Sequence, residues 1–381
     1  MERSVHLRLL EELRAGPGWP GAAGAGGPGG DGFAALAVPV ERYRDADRAE
    51  RERAALFAEA PRAVAGSSSI AVGACVPVDV PGAAIILTRR DDGAIAAMTN
   101  ACRHRATRLI DGACSPKALV CPYHGWTYDL RGRLIHAPHA AAFGGACERR
   151  DLRRVAVEER HGLVWLGAGV DGYLGELGAD LAALGLDRAV AWRRSRTTRR
   201  CNWKLVIEAF LDGYHIRVLH RDSIYRFFLD AASIGEPVGR HIRAVSARRA
   251  MRAAPPRLDA VADLRELGTP SYVLFPGTVV IEHPDFVSLI ALTPTAAAVT
   301  EVDHLMLVPA DRAGDADRWD RSWALIEDGV LQREDLWACE QIQRSIDAGA
   351  GDELLFGALE QPVRWFHAAI EAELAAASAV G

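Results

Sequence analysis

A chain of 381 residues is longer than the size at which one hydrophobic core usually stops growing, so two domains are expected. Hydrophobic residues make up 49% of the chain and charged residues 25%, a composition typical of soluble globular proteins and unlike that of disordered or fibrous chains. A net charge of -5 without a sustained run of Lys and Arg excludes a nucleic-acid-binding protein, and no apolar stretch reaches the roughly 20 residues of a membrane-spanning helix. The first residues lack the basic start and apolar core of a secretory signal, so we expect a cytoplasmic protein.

The amino-terminal part is predicted to contain two helices separated by a linker. Residues 1–14 have the apolar spacing of a helix, and residues 16–32 are rich in Gly, Pro and Ala, which favours an irregular linker. Residues 41–60 again fit a helix, which ends before Pro61 because proline disfavours helical conformation in the residue ahead of it. We assign residues 1–37 to the N-terminal helix and linker.

The next segment is predicted to be a small all-β domain. Between residues 70 and 167 the chain consists of short β-rich runs separated by turn residues, for example 83–90 and 94–99. Residues 163–166 are the predicted closing strand. Together with the helix ahead of it, this domain covers residues 38–168.

The remaining residues, 169–381, are predicted to form an α+β domain, because strands are framed there by long helices. The predicted elements are a helix at 202–220, strands at 272–282, 287–293 and 299–308, and helices at 322–346 and 363–377.

Two cysteine and histidine pairs form the first candidate metal site. Cys102 and His104 are followed after 16 residues by Cys121 and His124, so each half offers one thiolate and one imidazole. Two histidines that replace two cysteines on one iron of a two-iron two-sulfur cluster make a Rieske centre, which transfers electrons. Zinc also accepts two Cys and two His, but zinc-finger halves are typically two cysteines and then two histidines, so the mixed halves favour the cluster.

The other cysteines have no histidine at ligand spacing, and we interpret them as buried thiols without a metal role. They are Cys75, Cys114, Cys147, Cys201 and Cys339.

The second candidate site lies in residues 202–220, where His215 and His220 are five residues apart. On a regular helix five residues rotate by about 500°, which leaves the two side chains about 140° apart. A helix that bends or ends after His215 would bring them together, and Gly213 favours such a break. Two histidines and one carboxylate are the usual ligands of a non-haem iron(II) that activates oxygen, so an acidic residue is still required.

These motifs resemble a known family, the oxygenase (alpha) subunits of Rieske non-haem iron oxygenases, or aromatic ring-hydroxylating dioxygenases. The resemblance rests on Cys-Arg-His-Arg at 102–105, Pro-Tyr-His-Gly-Trp-Thr-Tyr at 122–128 and the segment from Asn202 to His220. It covers about residues 38–381. Two positions depart from the family pattern, because Ala106 replaces the usual Gly and Ala209 the usual Asn; neither is a ligand position.

The resemblance implies a set of site residues. It implies a [2Fe-2S] cluster on Cys102, His104, Cys121 and His124, and a mononuclear Fe(II) on His215, His220 and Asp335. Asp335 comes from a late helix in which Glu334 and Glu340 are the alternative carboxylates. Asp212 matches the acid that links the iron site to a cluster histidine of a neighbouring subunit, and it would also orient a ligating imidazole.

The resemblance also implies the fold and the activity. An N-terminal all-β Rieske domain would be joined to a helix-grip catalytic domain, and the chains would assemble as a homotrimer. No Gly-x-Gly-x-x-Gly fingerprint for a nicotinamide or flavin site is found between a predicted strand and a predicted helix, since the glycine spacings at 24–29 and 27–32 lie in the linker. Electrons from NAD(P)H would therefore arrive through a separate reductase or ferredoxin. With O2, the enzyme would hydroxylate, dihydroxylate or dealkylate a small aromatic or amine-type substrate.

Three alternatives remain open at this point. The chain could be a Rieske electron carrier, a zinc-stabilised protein that binds a small apolar ligand, or an oxygenase that kept its metals and lost turnover. Residues His215, His220 and Asp335 argue against the first, and the visible absorption of a cluster would exclude the second.

Overall fold

The chain folds into two compact units in the computed structural model, which describes residues 1–15, 34–80 and 82–380. One unit consists of Pro61–Tyr173 and Leu186–Val190, and the other contains the remaining described residues. The linker predicted at 16–32 lies outside the described residues.

The α-helices were predicted in most places where they occur, although several are shorter than expected. They are α1 Arg3–Ala15, α2 Glu41–Arg44, α3 Ala46–Glu52, α4 Val170–Leu174, α5 Leu177–Ala183, α6 Trp203–Leu211, α7 Ala316–Trp323, α8 Leu336–Asp347 and α9 Gln361–Val380. Two π-helical segments, Arg53–Phe57 and Ala324–Asp335, continue α3 and connect α7 to α8.

The strands form antiparallel sheets. They are β1 Leu36–Pro39, β2 Arg62–Gly66, β3 Cys75–Val80, β4 Ala83–Arg89, β5 Ile95–Thr99, β6 Leu119–Val120, β7 Thr127–Tyr128, β8 Leu134–His136, β9 Arg154–Val155, β10 Val157–Arg160, β11 Leu163–Leu166, β12 Ala189–Arg199, β13 Phe228–Val238, β14 His241–Arg248, β15 Gly268–Leu274, β16 Thr278–Glu282, β17 Val287–Ala296, β18 Val299–Pro309 and β19 Glu353–Phe356.

The smaller unit is built from three small sheets, with strand orders β3-β4-β5-β9, β10-β11-β2 and β6-β7-β8. Its core has two parts. One, around Ile85, Leu87 and Val164, packs the first two sheets together, and the other includes Cys102 and Cys121. The prediction of a small β domain is confirmed, and the predicted hairpin at 83–99 corresponds to the pair β4 and β5.

The larger unit is organised by a seven-stranded antiparallel sheet in the order β12-β18-β17-β16-β15-β14-β13. Helix α9 buries Val363, Phe366 and Ile370 in a core that also contains Ile242 of β14 and Val273 of β15. A long terminal helix packed on one antiparallel sheet is the helix-grip arrangement that the sequence predicted. The predicted strand 272–282 is in fact two strands, β15 and β16.

Residues 38–60, which the sequence analysis grouped with the cluster domain, pack in the larger unit. Tyr43 is fully buried, and its hydroxyl donates to Glu208 Oε1 on α6 at 2.8 Å. Leu56 belongs to the same core as Trp203. Helical periodicity does not say which domain a helix packs against, so this boundary could not be read from sequence.

None of the described helices combines the length and the apolar character that a bilayer-spanning helix requires.

Candidate metal centres and the cavity beside them

Two loops with the same backbone turn carry the cysteine and histidine pairs. The Ala106 N–H donates to the Cys102 carbonyl at 2.8 Å, and the Gly125 N–H donates to the Cys121 carbonyl at 3.0 Å. Ala106 and Gly125 have positive φ angles of 60° and 73°. The departure from Gly at position 106 therefore leaves the loop intact but places an alanine in a conformation that favours glycine.

The side chains of the two loops fit a metal cluster. Cys102 and Cys121 are 3% and 2% exposed, and the ring centroids of His104 and His124 lie 4.7 Å apart. His104 stacks on Trp126, and its Nδ1 is buried without a hydrogen-bond partner among the described residues. A buried nitrogen without a partner is costly, and ligation of iron would satisfy it.

The arrangement argues against a single zinc ion at these loops. A tetrahedral zinc site brings four ligand atoms within about 4 Å of one another, given its metal–ligand distances. The two loops instead carry one thiolate and one imidazole each, the donor set of a Rieske cluster.

The second site begins where helix α6 ends. Asn202 caps the helix, since its Oδ1 accepts from the Lys204 N–H at 3.0 Å. The helix stops at Leu211, before the histidines, because Asp212 is extended with φ -102° and ψ 112°. The single helix predicted over 202–220 is therefore wrong, and one turn of 3-10 helix from His215 to Arg217 follows the break.

This break brings the two histidines together with an acid from the late helical segment. The Nε2 atoms of His215 and His220 are 3.0 Å apart. Asp335 Oδ1 lies 3.1 Å from the His220 Nε2 and 3.5 Å from the His215 Nε2. All three candidate ligand atoms lie within 4.8 Å of one another, and Asp335 Oδ1 is buried without a hydrogen-bond partner among the described residues. The donor set and the unsatisfied oxygen fit a mononuclear iron.

Two further carboxylates orient the imidazoles by contacting the Nδ1 atoms, on the side of each ring away from Asp335. Asp212 Oδ2 lies 3.2 Å from the His215 Nδ1, and Glu334 Oε2 lies 2.7 Å from the His220 Nδ1. Each Nδ1–H donates to a carboxylate, which leaves the Nε2 lone pair directed at the metal position. Glu340 is engaged elsewhere, because its Oε1 accepts from the Arg200 N–H at 3.0 Å.

The electrostatics of this group favour a cation. Burial disfavours a charged His215, but the neighbouring carboxylates of Asp212 and Asp335 raise its pKa to about 10. Burial likewise opposes ionisation of Asp335, yet His215 and His220 hold the pKa of its carboxyl below the ordinary value. The carboxylates thus create a negative potential where the three ligand atoms meet.

A cavity of about 380 Å³ opens beside His215, His220 and Asp335. Most of its walls are apolar side chains from α6, the sheet, the π-helical segment and the connecting segments. They include Phe210, Phe227, Phe286, Ile290, Leu325 and Val330. A largely apolar cavity with a few polar groups is the usual form of a small-molecule site.

The sequence analysis missed a buried polar chain that reaches this cavity. Glu327 Oε2 pairs with the His304 Nδ1 at 2.8 Å, and the His304 Nε2 lies 3.0 Å from the Ser288 Oγ. Ser288 Oγ in turn lies 3.2 Å from the Nε2 of His283, which lines the cavity. These residues are far apart in sequence and have no motif spacing. The available signal was His304, which directly precedes the apolar run 305–308 of strand β18.

The comparisons with known proteins agree with this architecture. The sequence model of the ring-hydroxylating alpha subunit catalytic domain matches residues 186–376, and that of the Rieske [2Fe-2S] domain matches residues 61–156. The chain belongs to the ring-hydroxylating alpha subunit family. It carries a Rieske [2Fe-2S] domain ahead of a catalytic domain of the kind that binds a mononuclear iron.

Curated relatives match parts of the chain. The oxygenase subunit of glycine betaine monooxygenase from Chromohalobacter salexigens is 35% identical over 160 residues, which are 40% of this chain and 36% of that protein. The oxygenase subunit of carnitine monooxygenase from Escherichia coli is 30% identical over 198 residues, 49% of this chain and 52% of that protein. The matches thus span about a third to a half of these relatives.

Solved structures share the fold over nearly the whole chain. A quaternary ammonium Rieske monooxygenase superposes with a TM-score of 0.76 at 19% identity, covering 91% of this chain and 96% of that one. Naphthalene 1,2-dioxygenase from Rhodococcus sp. has a TM-score of 0.72 at 18% identity, with 98% of each chain covered.

Proposed function

We propose that the chain is the terminal oxygenase component of a Rieske-type enzyme that uses O2 to hydroxylate, dihydroxylate or oxidatively dealkylate a small organic substrate. The observation that carries this proposal is the convergence of His215 Nε2, His220 Nε2 and Asp335 Oδ1 beside an apolar cavity. Three protein ligands leave open positions on an iron, which oxygen activation requires. The names of relatives such as glycine betaine monooxygenase and benzene 1,2-dioxygenase support both amine-type and aromatic substrates.

The residues have separate tasks in this proposal. Cys102, His104, Cys121 and His124 hold the cluster, and His215, His220 and Asp335 hold the mononuclear iron. When bound, the cluster supplies single electrons and the iron supplies oxygen activation. The protein orients the ligands and excludes water. Asp212 and Glu334 keep the proton of the His215 and His220 imidazoles on Nδ1, and the apolar walls keep water away from the substrate.

The proposal includes a partner and an assembly. Electrons come from NAD(P)H through a separate reductase or ferredoxin, and the chain forms a homotrimer in which Asp212 links the iron site to a cluster histidine of the neighbouring subunit. The cytoplasmic location remains a prediction.

Metal analysis tests the proposal directly. We expect anaerobically purified protein to contain about three irons and about two sulfides per chain, and its dithionite-reduced form to give a rhombic paramagnetic resonance signal with an average g below the free-electron value. Two irons without a third would favour the electron carrier. Zinc without iron or sulfide would reject the oxygenase and favour a zinc-stabilised binding protein.

Turnover is tested with a reductase and a panel of aromatic and amine substrates. We expect oxygen consumption that depends on NAD(P)H, with an oxygenated or dealkylated product. A fully metallated protein that consumes no oxygen with any reductase and substrate would support an oxygenase that has lost turnover.

A further inference from the structure

Three hydroxyl side chains form a row across the sheet at one side of the cavity. Ser233 of β13 pairs with Ser246 of β14, which pairs with Thr269 of β15. All three line the cavity, and the Oγ atoms of Ser233 and Ser246 are 2.9 Å apart. This hydroxyl row makes one side of a largely apolar cavity polar.

A cationic side chain stands at the end of the row. Arg248 follows Ser246 by two residues on β14, so both side chains lie on the same face of the sheet. Arg248 lines the cavity, and its Nη1 donates to Thr269 Oγ1 at 3.2 Å. Its guanidinium carbon is 5.5 Å from the ring centroids of both Phe227 and Phe228. The cation is therefore held by aromatic walls and a single side-chain hydrogen bond.

The charge of Arg248 is not neutralised by an ion pair with any described residue. Asp285 is the acid whose charge acts on Arg248, but its Oδ2 accepts from the Arg318 Nε at 2.8 Å. Burial lowers the pKa of Arg248, which reflects the cost of holding its charge in this wall. A guanidinium has five N–H donors, so most of them remain available to a ligand. A partly buried cation without a counterion favours an anionic ligand.

We propose that the cavity binds a small organic carboxylate, with the carboxylate on Arg248 and the apolar body directed toward His215 and His220. The planar fork of a guanidinium matches a carboxylate through two parallel hydrogen bonds. The hydroxyl row supplies further donors, and the apolar walls take the rest of the molecule. This inference names the substrate class and rests on the proposed function for the reaction at the iron. An amine that lacks a carboxylate is disfavoured, because its charge would face that of Arg248.

Equilibrium binding to the metallated protein under anaerobic conditions tests this inference. The probes are benzoate, phenylacetate and 3-phenylpropionate, each compared with its neutral amide and with the ammonium compound of similar length, by titration calorimetry. We expect at least one carboxylate to bind about tenfold more tightly than its amide, the size of effect given by a hydrogen-bonded charge, and the ammonium compounds to bind more weakly still.

Three variants test whether Arg248 is the source of the preference for carboxylates. Arg248→Gln should abolish the preference for the carboxylate over the amide, whereas Arg248→Lys should keep a reduced preference because it retains the charge. Arg249→Gln is the matched control, since Arg249 is exposed, stacks on Tyr225 and does not line the cavity. It should bind like the wild type. Circular dichroism and iron content establish that each variant is folded and loaded.

The inference is overturned if amides bind as tightly as carboxylates throughout the series, if no carboxylate binds, or if the preference survives in Arg248→Gln. Binding needs neither electrons nor turnover, so the two proposals fail separately. If the protein shows the Arg248-dependent preference but no oxygenase activity, only the proposed function is rejected. If it is an active oxygenase without the preference, only the carboxylate inference is rejected.

Discussion

Asp212, Glu334 and Asp335 are chemically similar, but they occupy three different positions around the histidine pair. Asp335 Oδ1 meets the two Nε2 atoms, whereas Asp212 and Glu334 meet the Nδ1 atoms. A carboxylate on the metal side contributes a ligand, and one on the far side orients a ligand.

Substitution should separate these two roles. Asp335→Ala removes the proposed carboxylate ligand, so we expect iron to fall from about three to about two per chain while the visible spectrum of the cluster is retained. Glu334→Gln should leave the ligands in place and weaken iron(II) binding about 10- to 100-fold, as loss of an orienting partner does. Iron titration of metal-depleted protein measures both effects.

Glu340→Gln is the matched control, because Glu340 contacts Arg199 and Arg200 rather than the histidines. Unchanged iron affinity is expected. If Asp335→Ala kept three irons while Glu334→Gln or Glu340→Gln lost one, the carboxylate ligand would be reassigned.

Ala106 offers a second test at the scale of one residue. Its φ of 60° is unfavourable for a residue with a Cβ, and glycine should relieve about 1 kcal/mol of that cost. We expect Ala106→Gly to raise the midpoint of thermal unfolding. The loss of the visible absorption of the cluster on heating measures this midpoint. Gly125→Ala, at the equivalent position of the other loop, should lower it. A lower midpoint for Ala106→Gly would contradict this account.

At the scale of elements, the end of α6 determines whether the iron ligands meet. Gly213 has no room for a side chain, since a Cβ there would overlap the Ser233 side chain of β13. Gly213→Ala should displace the loop that carries His215, and we expect about tenfold weaker iron binding, as for other disturbances of ligand orientation. Iron titration of the variant measures the loss.

The second-site variant makes this prediction specific. Ser233→Gly removes both atoms that the new Cβ would contact, so the double variant Gly213→Ala/Ser233→Gly should recover much of the affinity. Equal losses in the single and double variants would show that the close approach to β13 is not the cause.

Helix α1 packs on the sheet through a histidine that is buried. Burial is the main reason that the pKa of His6 falls to about 4, and its Nε2 has no hydrogen-bond partner among the described residues. The unfolded chain takes up the proton near pH 6.5, whereas the folded chain does so only near pH 4. Stability is therefore complete above pH 6.5 and is lost as the pH falls toward 4.

His6→Leu should remove this part of the acid sensitivity. Between pH 7 and pH 5 the wild type should lose about 2 kcal/mol more unfolding free energy than the variant, which follows from about 1.5 pH units at 1.4 kcal/mol each. Urea unfolding at the two pH values measures the difference. If the wild type and the variant lost the same unfolding free energy between the two pH values, the acid sensitivity would come from groups other than His6.

At the scale of the whole molecule, the two candidate metal centres belong to different compact units. A chelator such as EDTA should therefore remove the mononuclear iron and leave the cluster, because each site is held by ligands of its own unit. We expect unchanged visible absorption, loss of about one iron per chain, and recovery of oxygenase activity on addition of Fe(II). Simultaneous loss of both metals would show that the sites depend on each other.

Much of this architecture could be predicted from local sequence. The family, the β domain, the helix-grip domain and the two kinds of metal centre were predicted and are confirmed. The cluster loops are short and contiguous, so the spacing and identity of their residues favour a two-iron cluster over zinc. The individual ligands stay predictions, although the structure brings His215, His220 and Asp335 together.

The sequence by itself therefore determined the family and the types of metal centre, because those depend on residues a few positions apart. Only the tertiary structure decided which of the adjacent acids Glu334 and Asp335 meets Nε2 and which meets Nδ1. It also decided where the predicted helix at 202–220 stops. Sequence reasoning could not predict the role of Arg248 or the hydrogen-bonded series from Glu327 to His283, for a physical reason. Their partners come from separate strands and helices, and packing alone brings them to one cavity.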